Sequence, residues 1–272
     1  MDRPNWVPPD VDVTRPSVAR LYDYHLGGSH NFESDRAFGD RTLRTMPDLP
    51  ELLRDNRDFL RRVVRELCAL GVDQFLDLGS GIPTVGNVHE VARASTPGAR
   101  VVCVDHDAVA VAHGRALLAD DPQTAAVLAD VREPDVVLAA VRRTCLIDFS
   151  RPVGVLMIAL LHFAHDEDRP RELVADYMGG LPVGSYPAIG HGRADGSRGI
   201  RNAAAVYEGD RSPNPMRLRS AAEVVDLFGS LTLLDPGVVL LPRRHPDAVD
   251  DRRAGSAVAD DYPGFGGLGR RD

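Results

Sequence analysis

An α/β fold, in which a mostly parallel sheet follows an all-helical preface, is what this sequence predicts. Three observations carry that reading. No strand-like run precedes Gln74, short apolar runs alternate with helical patterns from there to Gly190, and the first run passes straight into a glycine turn. The 272 residues, 43% of them hydrophobic, suffice for one large α/β domain or two small ones.

Residues 1–15, rich in Pro and Asp, read as a loose arm, and residues 16–70 as a helical cap. Pro16 suits a first helical turn, with Val18, Leu21 and Tyr22 following at helical spacing until Gly27-Gly28 interrupts. Residues 33–45 and 49–69 read as two further helices, the second with an apolar stripe running from Leu52 to Leu67. Residues 71–245 form the sheet domain. Strands are predicted near 74–78, 100–105, 124–129, 152–161 and 184–190, and helices near 87–95, 108–119, 134–141 and 168–179. Asn87 with Glu90, and Ser220 with Glu223, have capping-box spacing, and Gly229 ends the second of these helices. The polar stretch 191–215 is too long for an ordinary connection and reads as a functional loop or a mobile one. The runs LTLL and VVLL, split by Asp235-Pro236-Gly237, suit a closing hairpin, and 246–272 reads as a tail.

Composition excludes several chemistries. All 32 basic residues are arginine, so Schiff-base catalysis and a Walker-type phosphate loop, both of which need a lysine, are ruled out. A net charge of −8 argues against broad nucleic-acid binding. Cys68, Cys103 and Cys145 are odd in number and lie far apart, as reduced thiols of a cytoplasmic protein do. No export signal and no run of roughly 20 apolar residues is present, so neither membrane nor export is expected. His89 and Glu90 have no second histidine at ligand spacing, so no metal site is expected.

The chemistry concentrates at the strand ends. In Gln74-Phe75-Leu76-Asp77-Leu78-Gly79-Ser80-Gly81 a buried strand runs into a glycine turn, where the lack of a Cβ lets a nucleotide-like ligand approach the backbone. Asp77, two places before the first glycine, suits a cofactor with a cationic amino group, as S-adenosylmethionine has, and repels a pyrophosphate. Thr84 stands where a dinucleotide fingerprint has its third glycine, which weakens that reading further. Asp105 ends the next apolar strand, where its two oxygens suit the paired hydroxyls of a ribose, and His106 follows it at the same edge. After the third strand Asp130 is placed to take an adenine amino group while Val131 packs on the ring. Tyr22, Tyr24 and Phe32 flank the Gly-Gly loop and offer aromatic faces to a sulfonium, or simply pack between helices. Arg54 and Arg57 are candidates to pair with a carboxylate. His162 and His165 follow the long apolar strand and are candidate general bases.

The stretches RLYDYHLGGSHNFESDR, RDNRDFLRRVVREL, QFLDLGSGIPT, NVHEVA, RVVCVDHD, AHGRALL, LADVREPD and LLHFAHD resemble an actinobacterial family of S-adenosylmethionine-dependent methyltransferases, over residues 16–190 and more faintly 216–242. The resemblance implies a class I Rossmann-like sheet of seven strands, the last antiparallel, behind a helical cap. It also implies S-adenosyl-L-methionine as cofactor, with Asp77, Gly79, Ser80, Gly81, Asp105, Asp130 and Val131 as its contacts. It does not supply the acceptor, expected to be a small molecule. The chain departs from the family at Pro187, inside a strand that should be central, where a bulge or early strand end is expected, and at Arg243-Arg244-His245-Pro246. The rival readings are a non-catalytic S-adenosylmethionine-binding protein and an NAD(P)-dependent oxidoreductase. The helical cap is expected to act as a lid, placing Tyr22 and a flexible Gly27-Gly28 joint over the methionine end of the cofactor.

Overall fold

The computed structural model describes residues 11–83, 86–209, 214–244 and 258–272. Thr84, His245, Pro246, most of the arm and part of the 191–215 stretch lie outside the described residues. Five apolar runs form parallel strands, β1 (Gln74–Leu78), β2 (Arg100–Asp105), β3 (Thr124–Leu128), β4 (Gly154–Ile158) and β5 (Tyr186–Gly192). They lie in the order β3-β2-β1-β4-β5, so the strand order reverses between β1 and β4, the point where such sheets bind ligands.

Helices cover both faces. On one, α3 (Leu49–Ala69), α4 (Val88–Ser95) and α8 (Arg198–Tyr207) pack on Phe75, Val101 and Leu156. On the other, α6 (Pro134–Arg143) and α7 (Pro170–Gly179) pack on Leu76, Leu78, Val102 and Val155. α5 (Ala108–Leu117) is capped by Asp107, whose carboxylate accepts from the backbone N–H of Val109 and Ala110. The cap helices α1 (Val18–His25) and α2 (Glu33–Thr45) are sewn to that point through buried polar groups. Arg20 donates to Asp35 at 2.9 Å and to Asp107 at 3.2 Å, and the Ser17 hydroxyl donates to Asp107 as well. Because every carboxylate here has a cationic or N–H partner, the burial is compensated and fixes α1 over the carboxyl ends of β1 and β2.

Three expectations need correction. The sheet is closed not by the hairpin alone but by β8 (Gly264–Arg270), which the sequence reading put in the tail. β8 runs antiparallel to β5, and β6 (Thr232–Leu233) and β7 (Val239–Leu240) both pair with it rather than with each other. The 191–215 stretch contains the end of β5 and all of α8, whose Ile200, Ala203, Ala204 and Tyr207 are buried at i, i+3, i+4 and i+7. Pro187 neither bulges nor ends β5. The Tyr186 N–H donates to Val153 on the β4 side, so alternation turns the proline's missing donor toward β8, where pairing begins only at Ala188.

β8 is a strand of glycines because aromatic rings lie on both its faces. A Cβ on Gly266 would fall 2.5 Å from Phe59, and one on Gly269 2.8 Å from Phe228. Gly266→Ala is therefore expected to destabilise the fold by about 1–3 kcal/mol through overpacking, read as a lower denaturant midpoint with an unchanged m-value. An unchanged midpoint would mean that Phe59 gives way freely. Among the described residues no helix is long and apolar enough to cross a membrane.

Candidate active site

At the reversal point the chain leaves β1 through Gly79 and Gly81, both in the left-handed region (φ +69° and +65°), while the N–H groups of Gly79 and Ser80 donate to the carbonyl of Val104 at the end of β2. The turn borders a cleft that, with its open mouth, takes in about 840 Å³ and is lined, among others, by Tyr22, Arg57, Asp77, Ser80, Asp105 and His106. A Cβ on Gly81 would meet nothing within 4 Å, so the backbone there faces open space.

Asp77 is 8% exposed, and its carboxylate accepts no hydrogen bond among the described residues. Burial pushes it up to about 7. Asp105 nearby adds to that rise, and Arg57 opposes it. Asp105 is held on both oxygens, accepting from the Gly81 N–H at 2.8 Å and the Asp107 N–H at 2.8 Å, and burial raises it too. Since Asp107 caps α5, Asp105 is spared that task and presents its remaining lone pairs to the cleft. Two buried carboxylates with this orientation fit a ligand that brings a cation and hydroxyl donors, and disfavour one that brings a pyrophosphate.

Arg57 is aimed by α4. Its Nη2 donates to Asn87 Oδ1 at 3.0 Å, while Glu90 accepts from the Asn87 N–H. Tyr22 is fixed rather than free, because its hydroxyl donates to the Leu53 carbonyl at 3.0 Å. Its ring forms part of the wall between the cleft and a second, apolar chamber, together with Val18, Ala159 and Phe163. Ala159 holds φ +57°, an unusual conformation for a residue with a Cβ, at the end of β4.

Several expected groups stand elsewhere. Asp130 does not line the cleft and closes on its own neighbour Arg132 at 2.6 Å, which holds it below the usual carboxylate range. Val131 packs with the core on the α7 side, its carbonyl accepting from Tyr177. The Tyr24 hydroxyl donates to Asp40, and Phe32 lies under Arg20. Arg54 borders a neighbouring open groove, as does the Gly27-Gly28 loop. That loop packs on the end of α1. Its neighbours His30 and Asn31 donate to the Asp23 carboxylate, and a Cβ on Gly28 would overlap that same group at 2.0 Å. His165 bonds the Pro215 carbonyl outside both cavities. His162 lines the apolar chamber, where burial pushes it well below the ordinary histidine value, and its Nδ1 accepts from the Gly192 N–H at 3.4 Å.

Sequence reasoning missed Asn56, Phe163 and Tyr207. For Asn56 a signal was present, since it falls at i+3 from Leu53 and i−4 from Leu60 on the apolar stripe of α3, where a polar residue is out of place. Among the described residues no cluster of three or more His, Cys, Asp or Glu side chains is arranged to hold a metal.

A sheet of this order with an antiparallel strand beyond β5, carrying carboxylates rather than phosphate-binding donors at its glycine turn, is that of the Rossmann-like methyltransferases. The chain belongs to the S-adenosyl methyltransferase family, whose model matches residues 4–272. It is an S-adenosylmethionine-dependent methyltransferase. A Thermobifida fusca structure described as a candidate methyltransferase is 38% identical and superposes with a TM-score of 0.89, over 99% of this chain and 100% of that one. A DUF574 family protein from Streptomyces avermitilis is 37% identical, with a TM-score of 0.88 over 96% and 99%. The N-methyltransferase NodS from Bradyrhizobium japonicum, solved with S-adenosyl-L-homocysteine, shares the fold at 12% identity and a TM-score of 0.53, over 96% and 99%. No curated protein matches.

Proposed function

We propose that this enzyme acts on a small-molecule acceptor in the cytoplasm, with its cofactor lying across the carboxyl ends of β1 and β2. Asp77 holds the cofactor's ammonium group and Arg57 its carboxylate. Gly79, Ser80 and Gly81 give the backbone close approach, and Asp105 accepts from the two ribose hydroxyls. His106 borders the adenine end, with Val131 and Asp130 beyond it, the latter sharing its carboxylate with Arg132. Tyr22 turns an aromatic face to the sulfonium at the wall of the apolar chamber. The single observation that carries the reading is Asp77, a buried carboxylate that opens on the cleft without a hydrogen-bond partner among the described residues. A cation there offsets a desolvation that, among the described residues, Arg57 offsets only in part.

Bound in this way, the cofactor would supply a methyl group for in-line displacement, the acceptor's lone pair forming the new bond as the carbon–sulfur pair returns to sulfur and the acceptor's proton is given up to solvent. The protein's part is orientation and exclusion of water, for which Tyr22, tied to the Leu53 carbonyl, and the cap helices bonded to Asp107 are placed. Asp105→Ala is expected to weaken S-adenosyl-L-homocysteine at least about tenfold, because two hydroxyls lose a charged acceptor and Gly81 loses its anchor. Calorimetry checks it. Unchanged affinity would reject the assignment of Asp105, and tighter binding of NAD than of S-adenosyl-L-homocysteine would reject the cleft's cofactor.

A further inference from the structure

The chamber beyond the Tyr22–Phe163 wall takes in about 670 Å³ of space between protein atoms, its open mouth included. Hydrocarbon side chains such as Leu52, Leu53, Ile200 and Ala203 make up most of its lining, and among the described residues no Asp, Glu or Arg borders it. Its three histidines are neutral at pH 7. Burial lowers His25 and His191 to about 4 and His162 well below its ordinary value, and the Arg219 Nη1–H donates to His191 Nε2. An ionised guest would lose its hydration there and gain no counter-charge.

Polar groups without partners interrupt this lining. Asn56 is 6% exposed, and its amide, on the chamber lining, makes no hydrogen bond among the described residues. The Tyr207 hydroxyl on the opposite helix also has no hydrogen bond among the described residues, and the Nδ1 of His25 is buried without a partner. Native interiors rarely leave such groups unsatisfied unless a ligand completes them.

We infer that this chamber is the acceptor site and that the acceptor is a neutral, mostly hydrocarbon or aromatic molecule whose one hydroxyl or amine group is read by the Asn56 amide. The inference rests on the proposed placement of the cofactor, since the shared wall of Val18, Tyr22, Ala159 and Phe163 is what brings such a molecule to the sulfur.

The test is calorimetry on the full chain, saturated with S-adenosyl-L-homocysteine, using 2-naphthol and naphthalene-2-sulfonate as probes. 2-Naphthol is expected to bind, and the sulfonate at least about tenfold more weakly, since its charge goes unpaired. Asn56→Leu, close in volume, is expected to weaken 2-naphthol by about threefold to tenfold, the worth of one hydrogen bond, and to leave S-adenosyl-L-homocysteine within about twofold. Ala203→Phe, which fills the chamber, should abolish naphthol binding with the same retention of cofactor product. Equal affinity for the two probes, no binding of 2-naphthol, or unchanged naphthol affinity in variants that still bind S-adenosyl-L-homocysteine would each overturn the inference. Failure of the wild-type chain to bind S-adenosyl-L-homocysteine would instead overturn the cofactor placement, and titrating 2-naphthol into the ligand-free chain would then decide the chamber on its own.

Discussion

Replacing Asp77 with Asn is expected to cost about one to two orders of magnitude in affinity for S-adenosyl-L-homocysteine while making the ligand-free protein more stable at pH 8. The first effect follows from losing a charge-assisted hydrogen bond of about 1.5–3 kcal/mol to the ammonium group. The second follows from burial, which holds the carboxyl near 7 in the folded chain against about 3.9 in the unfolded one. Between those values the folded chain binds more protons than the unfolded, so stability falls as pH rises and the penalty is complete above pH 7. Asparagine carries no such penalty. The stabilisation by Asp77→Asn should therefore be near zero at pH 4, grow by roughly 1.4 kcal/mol per pH unit, and level off above pH 7 at a few kcal/mol. Melting curves of both proteins between pH 4 and 8 check it. A difference in Tm that does not change with pH would show that Asp77 is not buried as a strained anion. Wild-type affinity should also rise from pH 6 to pH 8, as Asp77 ionises, and that rise should vanish in the variant.

Arg219→Ala is expected to be the most destabilising single change outside the sheet core. Arg219 is 3% exposed and donates to the carbonyls of Leu161 (2.9 Å) and Ala164 (3.0 Å), to His191 Nε2 (3.1 Å) and to Asp166 (3.1 Å). Truncation leaves two of these acceptors, the Ala164 carbonyl and His191 Nε2, buried without a donor, while the Leu161 carbonyl keeps the Ala164 N–H, at an expected cost of about 2–5 kcal/mol and a fall in Tm of about 10 °C. Because the same guanidinium pins the loop after β4, which carries the chamber's His162 and Phe163, binding of 2-naphthol should fall with it. Arg219→Lys should rescue little, since one ammonium cannot reproduce a fork that spans two carbonyls and an imidazole. A wild-type Tm in the alanine variant would show that the loop is held by other contacts.

The sheet's parallel half was legible because its signals are local. β1, α2 and α3 begin and end where the apolar runs and the 3.6-residue stripe place them. β8 was not, because GFGGLGR has the composition of a loop and becomes a strand only through rings brought from distant parts of the chain, Phe59 and Phe228, which take the space its missing Cβ atoms leave. α8 carried a helical stripe of Ile200, Ala203, Ala204 and Tyr207, but the glycines and arginines around it dominated a reading by composition. At the site, Asp77, Asp105 and the glycine turn were readable from the end of a strand. The Asp107 cap on α5 was legible too, as an Asp just before a helix, and Arg132 reaches Asp130 only two residues away, whereas Asn87 aims Arg57 across 30 residues, a contact no local pattern encodes.

A crystal structure of the complex with S-adenosyl-L-homocysteine tests the placement of the cofactor most directly. The account predicts the amino group within hydrogen-bond distance of the Asp77 carboxylate, the ribose hydroxyls on Asp105, and the sulfur against the wall formed by Tyr22, Ala159 and Phe163, facing the apolar chamber. A ligand bound in the reverse sense, with its adenine against that wall and its amino group at His106, would contradict it.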